Sequence, residues 1–403
     1  MTPTLADARD LDTRDPLGPL RARFLPAQDD GIIAYLDGNS LGRPPRATAE
    51  RVAAFIGEQW GTRLIRGWNE GWLELPERIG DRLGEVALGA APGQVAVGDS
   101  TTVCLYKLVR AAVSARPGRR EIVTDRDNFP TDRYVVEGVA DELGLTVRWI
   151  EPEPDLGVTP AQVSTVVGDD TAVVTLSHVA YKSAYVADMG AITRIAHDAG
   201  ALVVWDLCHS VGCVPVELDA HDVDFAVGCT YKYLNGGPGS PAFLYVRGEH
   251  QHLPQPVPGW LGRRDAFDMA QGYEPAPGVR SFLSGTPPLL AMLGVAEGVE
   301  LVAEAGIERI REKAVALTEF AVELADQWLA PLGLTVASPR DPPVRGGHVT
   351  LRRGDAAAPS AKLIEAGVLI DYRTPDGIRL GLSPLTTTFE ELWRALDATR
   401  RLL

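Results

Sequence analysis

Cysteine is scarce in this chain, with four among 403 residues, Cys104, Cys208, Cys213 and Cys229. None forms a C-x-x-C pair and all lie in apolar or strand-like contexts, so buried free thiols are expected rather than disulfides or zinc ligands. Long apolar runs are missing too: no window reaches the roughly 18 to 20 uninterrupted apolar residues of a membrane helix. Residues Met1 to Pro16 carry Asp7, Asp10, Asp12 and Asp15 and no apolar segment. That composition is not that of a signal peptide, and the cytoplasm is the expected compartment. Positive charge is short, 39 Lys+Arg against 54 Asp+Glu, a formal net charge of −15. Such a field repels phosphate backbones, so no nucleic-acid partner is expected. The seven histidines show no zinc-ligand spacing, and neither a Walker A loop nor a G-x-S-x-G elbow occurs, so no metal is expected. Tandem repeats and low-complexity tracts are also missing.

What is present is a run of short apolar strands alternating with helical patterns between about residues 85 and 250. Glu121–Thr124, Thr171–Leu176, Ala201–Trp205 and Ala242–Val246 are continuous apolar segments of the length of strands buried on both faces. Between two of them, Asp188 suits an N-cap and Gly200 a left-handed C-terminal position, which predicts a crossover helix. A long amphipathic helix is predicted over Glu308–Leu329, short strands at His348–Leu351 and Gly377–Gly381, and a capping box at Thr388–Glu391. The expected organisation is an N-terminal arm, 1–57, packing with the small domain, a large α/β domain, 58–285, and a small C-terminal domain, 286–403.

The chemistry-bearing residues lie at strand ends. Val204-Trp205-Asp206 ends a strand in an acid, and His209 follows. The next strand, Asp224 to Thr230, runs into Tyr231-Lys232-Tyr233 and a Gly-rich turn, Asn235 to Gly239. Taken singly, an acid after a strand is commonly a cap, a loop lysine a solvated charge and a Gly-rich run a turn. Together, at one edge of one sheet, they suit a pyridoxal phosphate (PLP) site. The lysine would carry the cofactor as a Schiff base and the acid would pair with the pyridine nitrogen. Upstream, Ser100, Thr101 and Thr102 open a helix after Gln94–Val97; such an N-terminus binds phosphate, or is simply a capping cluster. Phe129, in Asp127-Asn128-Phe129-Pro130-Thr131-Asp132, is placed either to stack on a ring or to fill the core.

These segments resemble the kynureninase family, PLP hydrolases of fold type I related to class V aminotransferases. The resemblance extends to Leu36–Gly42, Gln59-Trp60-Gly61, Gly259–Gly262, Ser284-Gly285-Thr286, Asp371-Tyr372-Arg373 and Gly377-Ile378-Arg379, and so covers nearly the whole chain in order. It implies a fold-type I α/β architecture, a mixed, mostly parallel sheet flanked by helices with a smaller α+β C-terminal domain. It implies Lys232 as the cofactor-bearing base, Asp206 on the pyridine nitrogen with His209 beside it, and Phe129 on the ring. Thr101, Thr102, Asp132 and Ser177 would position ring and phosphate, with Tyr231 a phosphate contact and proton donor. Trp260 and Thr286 would reach the cofactor of a partner subunit, which implies a homodimer. Arg379 would hold the substrate α-carboxylate, and Ser40 and Trp60 would border the aryl end.

The implied reaction is hydrolysis of L-kynurenine to anthranilate and L-alanine in tryptophan catabolism, with 3-hydroxykynurenine, giving 3-hydroxyanthranilate, an open alternative substrate. A cysteine desulfurase or aminotransferase on the same fold, an enzyme for a modified kynurenine, and a non-catalytic PLP-binding protein are the alternatives. Two positions depart from the family pattern: Thr386 stands where a tyrosine is common and Cys104 where asparagine is frequent.

Overall fold

The computed structural model describes residues 3–27, 31–153 and 155–403. Seven strands build its main sheet: β1 (Val95–Val97), β2 (Glu121–Asp125), β3 (Thr146–Ile150), β4 (Thr171–Ser177), β5 (Leu202–Asp206), β6 (Phe225–Gly228) and β7 (Phe243–Val246). Their order is β1-β7-β6-β5-β4-β2-β3, and only β7 runs antiparallel to its neighbours. The apolar runs read from the sequence are these strands. β5, β6 and β7 are buried at every position, because helices cover both faces of a parallel sheet. Asp188 caps its helix, Oδ1 accepting from Ala191 N at 2.9 Å, and Gly200 is left-handed at φ +74°.

A second core lies around a four-stranded antiparallel sheet made of β8 (Thr335–Val336), β9 (His348–Arg352), β10 (Asp371–Arg373) and β11 (Gly377–Gly381), in the order β10-β11-β9-β8. Ala8, Ala34 and Leu36 of the N-terminal segment are buried in this core, and Ala34–Tyr35 pairs in parallel with Val368–Leu369. The helix Leu289–Ala305 sends Met292, Val295, Val299 and Val302 into the core of the large sheet. Leu317, Ala321 and Leu324 of the following helix belong to the small one.

Two local expectations need correction. The long helix is α-helical over Ile307–Leu324 and closes in a π turn over Ala325–Leu329. At the last helix Thr388 caps, accepting from Glu391 N at 3.0 Å, but the reciprocal half of the capping box is not made. The Glu391 carboxylate instead accepts from Tyr35 N at 2.9 Å and pairs with Arg43 at 2.8 Å. A buried carboxylate goes where a cation and a backbone donor satisfy it better than its own cap does.

Candidate active site

β4, β5 and β6 are neighbours, and their carboxyl ends carry Ser177, Asp206 and the loop to Lys232. Parallel strands bring these ends to one edge, where the next loops can converge. Asp206 is buried, with Oδ1 accepting from Cys208 N at 2.8 Å and Oδ2 lying 3.2 Å from Ser177 Oγ. Ser177 Oγ is also 2.8 Å from Asn128 Oδ1, so one hydroxyl proton serves two acceptors in turn. Asp132 lies within hydrogen-bonding reach of Asp206. Burial and the Asp206 charge push its carboxyl well above the usual range.

Lys232 is buried at the tip of its turn, which Asn235 N to Lys232 O (2.9 Å) and Gly236 N to Thr230 O (2.8 Å) hold closed. The turn is pinned from behind by the helix Leu289–Ala305. A Cβ on Gly298 would stand 1.6 Å from Leu234 O, so only glycine allows that approach. Lys232 Nζ lies 3.3 and 3.5 Å from the two His209 nitrogens and 5.9 Å from the centroids of Phe129 and Tyr231. Burial, with Lys232 and Arg379 nearby, holds the His209 imidazole well below its ordinary pKa, hence neutral. Burial raises the Tyr231 phenol, which keeps its proton.

Opposite Lys232, the four-stranded sheet contributes Arg379 on β11, 1% exposed. Its Nη1 donates to Tyr181 O at 2.7 Å and its Nη2 to Ser40 Oγ at 3.1 Å, and Asp371 pairs with it. Asn39, with its amide turned to satisfy both groups, accepts from Arg379 Nε and donates to Asp37 Oδ1, each at 3.2 Å. Burial raises Asp37 to about 6. The N-terminal Leu36–Gly42 segment is thereby fastened to the four-stranded sheet, and Gly42 N donates to Tyr231 O at 2.7 Å.

The structure therefore gathers Ser177, Asp206, His209, Tyr231, Lys232, Phe129, Asp132, Ser40 and Arg379 around one space. Ser100 caps the helix that Thr101 opens, accepting from Val103 N at 3.4 Å; Thr101 Oγ1 is 4.0 Å from Cys208 Sγ, and Thr102 is exposed beside it. Ser40 Oγ sits against Arg379 Nη2 at 3.1 Å. Trp60 is 52% exposed on a separate segment and Thr286 is exposed, while Trp260 packs edge-on against Trp68 at 5.6 Å. None of these three touches Lys232 within one chain, among the described contacts. The sequence reading did not single out Asp37, Asn128, Tyr181 or His348. Asn128 and Asp37 lie inside motifs it quoted, whereas Tyr181 acts through its carbonyl and His348 shows no local signal.

At the opposite end of the sheet, Asp224, Glu249 and His250 present ligand atoms within 4.8 Å of one another. The Asp224 carboxylate is already taken by His250 (2.7 Å), His197 (2.8 Å) and Val203 N (2.8 Å), a hydrogen-bonded clasp.

The chain is 44% identical to the kynureninase of Pseudomonas fluorescens over 408 residues, spanning 99% of this chain and 95% of the relative. It belongs to the kynureninase family. A Burkholderia pseudomallei (strain 1106a) kynureninase is likewise 44% identical over 409 residues, with 99% and 95% covered. The kynureninase C-terminal domain family matches residues 310–399, and the DegT/DnrJ/EryC1/StrS aminotransferase family matches residues 90–217. Among solved structures, the Escherichia coli cysteine desulfurase CsdA superposes with a TM-score of 0.81 at 19% identity, over 96% of this chain and 98% of its own. The apo cysteine desulfurase of Thermococcus onnurineus NA1 gives 0.79 at 19% identity, over 98% and 97%. At that identity the likeness is one of fold: an α/β architecture with a mixed, mostly parallel sheet flanked by helices.

Proposed function

We propose that this protein is a PLP-dependent kynureninase, an enzyme that hydrolyses L-kynurenine to anthranilate and L-alanine. The observation that carries the reading is membership of that family over 99% of the chain, together with a buried lysine and a buried arginine that both act on His209. The residues fit PLP: a buried carboxylate for the ring nitrogen, an aromatic ring near Lys232, and a helix N-terminus carrying the Thr101 and Thr102 hydroxyls for the phosphate. Bound PLP supplies the electron sink that lets a carbon–carbon bond break.

Lys232 moves the proton at Cα, and the neutral His209 imidazole beside it adds no competing charge. Arg379 fixes the α-carboxylate, which orients the substrate before reaction. Water adds to the γ-carbonyl and the Cβ–Cγ bond breaks. The hydrated carbonyl leaves as the carboxylate of anthranilate, and Tyr231, held protonated, is placed to give a proton to Cβ of the alanine fragment that stays behind. A desulfurase reading fits poorly, since that chemistry uses a mobile, accessible thiol and all four cysteines here are buried.

The same reading places the protein in the cytoplasm, in tryptophan catabolism and NAD biosynthesis, as a homodimer. The exposed Thr286 and half-buried Trp260 would then serve the partner's site, and Trp60 would border the aryl end. No helix among the described residues is long and apolar enough to cross a membrane. Purified holoenzyme is mixed with L-kynurenine and with 3-hydroxykynurenine, and anthranilate-type fluorescence and alanine are followed. Release of alanine from either supports the reading; no alanine from both overturns it.

A further inference from the structure

His348 lies on β9, opposite Gly381 of β11, and two residues further on Thr350 stands opposite Arg379. Side chains on a strand alternate, so His348, Thr350 and Arg379 leave the same face of the small sheet. That face looks onto the large domain, where Arg379 meets Tyr181 O and Thr350 Oγ1 donates to Lys182 O. His348 is 0% exposed, its ring centroid 5.7 Å from that of His209, whose nitrogens flank Lys232 Nζ. Among the described residues neither ring nitrogen makes a hydrogen bond of good geometry, although the Tyr181 and Lys182 carbonyls lie close enough to act on the ring. Burial, with Arg379 and Lys232 close by, holds this imidazole well below its ordinary pKa. A neutral imidazole has one N–H to give and one lone pair to fill, and a buried ring with both idle is destabilising unless a ligand or water completes it.

Arg379 makes the complementary point. Of its five N–H groups, Nε serves Asn39, one Nη1 hydrogen serves Tyr181 O, and the two on Nη2 serve Ser40 and Asp371. One remains, on Nη1. A carboxylate gripped at both oxygens needs two donors, so the guanidinium alone is one short.

We propose that His348 is a substrate-binding residue that gives its ring N–H to one oxygen of an amino acid's α-carboxylate while the free N–H of Arg379 takes the other. This rests on the reading of Arg379 as the carboxylate site and deepens it.

The test titrates holoenzyme with L-alanine and with ethylamine, which carries an amine but no carboxylate, and follows the visible absorption of the bound cofactor. His348→Leu is expected to raise the apparent Kd for L-alanine by roughly 10- to 100-fold, the effect of one hydrogen bond to a charged group. Ethylamine affinity stays within about two-fold, and His348→Gln, which keeps a donor, recovers most of the loss. An unchanged L-alanine affinity, or equal weakening of both amines, overturns the proposal. Should the leucine variant fail to fold, a crystal structure of wild-type holoenzyme with L-alanine decides. A His348 nitrogen within about 3.2 Å of the carboxylate supports it, and a ring bonded only to water or backbone overturns it. An enzyme that binds L-alanine in this way yet leaves kynurenine intact would fail the proposed function and keep this inference.

Discussion

Gly42 and Lys232 come from segments 190 residues apart, and a Cβ added to Gly42 would lie 2.4 Å from the Lys232 carbonyl oxygen. The same Cβ would meet Asn235 Oδ1 at 2.3 Å. The N-terminal segment thus lies directly on the backbone turn that aims the lysine. Gly42→Ala should force the two apart. A loss of about 1–3 kcal/mol in stability is expected from denaturant melts, with a drop in turnover of ten-fold or more. A variant with wild-type midpoint and rate would show that this contact does not set the position of Lys232.

Lys232→Ala removes the amine between His209, Phe129 and Tyr231. Turnover is expected to fall at least about 10³-fold, and the long-wavelength absorption of bound cofactor should disappear. A retained visible band in the purified variant would strip Lys232 of its assigned role.

Arg379→Ala leaves the cofactor side intact and opens the carboxylate side. Apparent affinity for L-alanine should weaken roughly 100-fold while cofactor content, measured by absorbance after denaturation, stays at wild-type level. Equal affinity in the two proteins would argue that the carboxylate lies elsewhere.

Asp37 gives a pH dependence of definite sign. Burial raises its folded pKa to about 6, above the usual carboxylate value. Between about pH 4 and pH 6 the folded protein holds a proton that the unfolded chain has released, so this group's stabilisation is lost as pH rises through that window. Asp37→Asn cannot ionise and keeps an oxygen to accept hydrogen bonds from Ser40 and Asn39. The variant should gain on wild type by up to about 3 kcal/mol at pH 7, with little of that gain at pH 4. Parallel urea melts at the two pH values check it; an equal difference at both would move the ionisation to another group.

Much of the site was legible before any fold was known. The strands ending at Asp206 and before Lys232 are continuous apolar runs, and strands of that kind pair in parallel with their carboxyl ends together. The sequence places Phe129 either to stack on a ring or to fill the core, and it lies 5.9 Å from Lys232 Nζ. His348 was not legible. In the sequence it is one histidine after two glycines, and only its register opposite Gly381 puts it on the Arg379 face. Glu391 misled for the same reason: its spacing from Thr388 fits a capping box, but Arg43 and Tyr35 N, some 350 residues earlier, satisfy its carboxylate instead.

The scarcity of cysteine, the excess of acid and the lack of long apolar runs set the first expectations for this protein. The periodicity of its apolar residues fixed the strands and most of the helices, since burial of alternating or continuous apolar faces is a local property of the chain. The tertiary structure decided which polar groups meet. Lys232 and Arg379 both lie close enough to act on His209, Arg379 spends four of its five N–H groups on protein, and His348 is left buried with neither nitrogen in a hydrogen bond of good geometry among the described residues. Those outcomes depend on strand register and on how two cores pack, and such relations between distant residues leave no mark on local sequence.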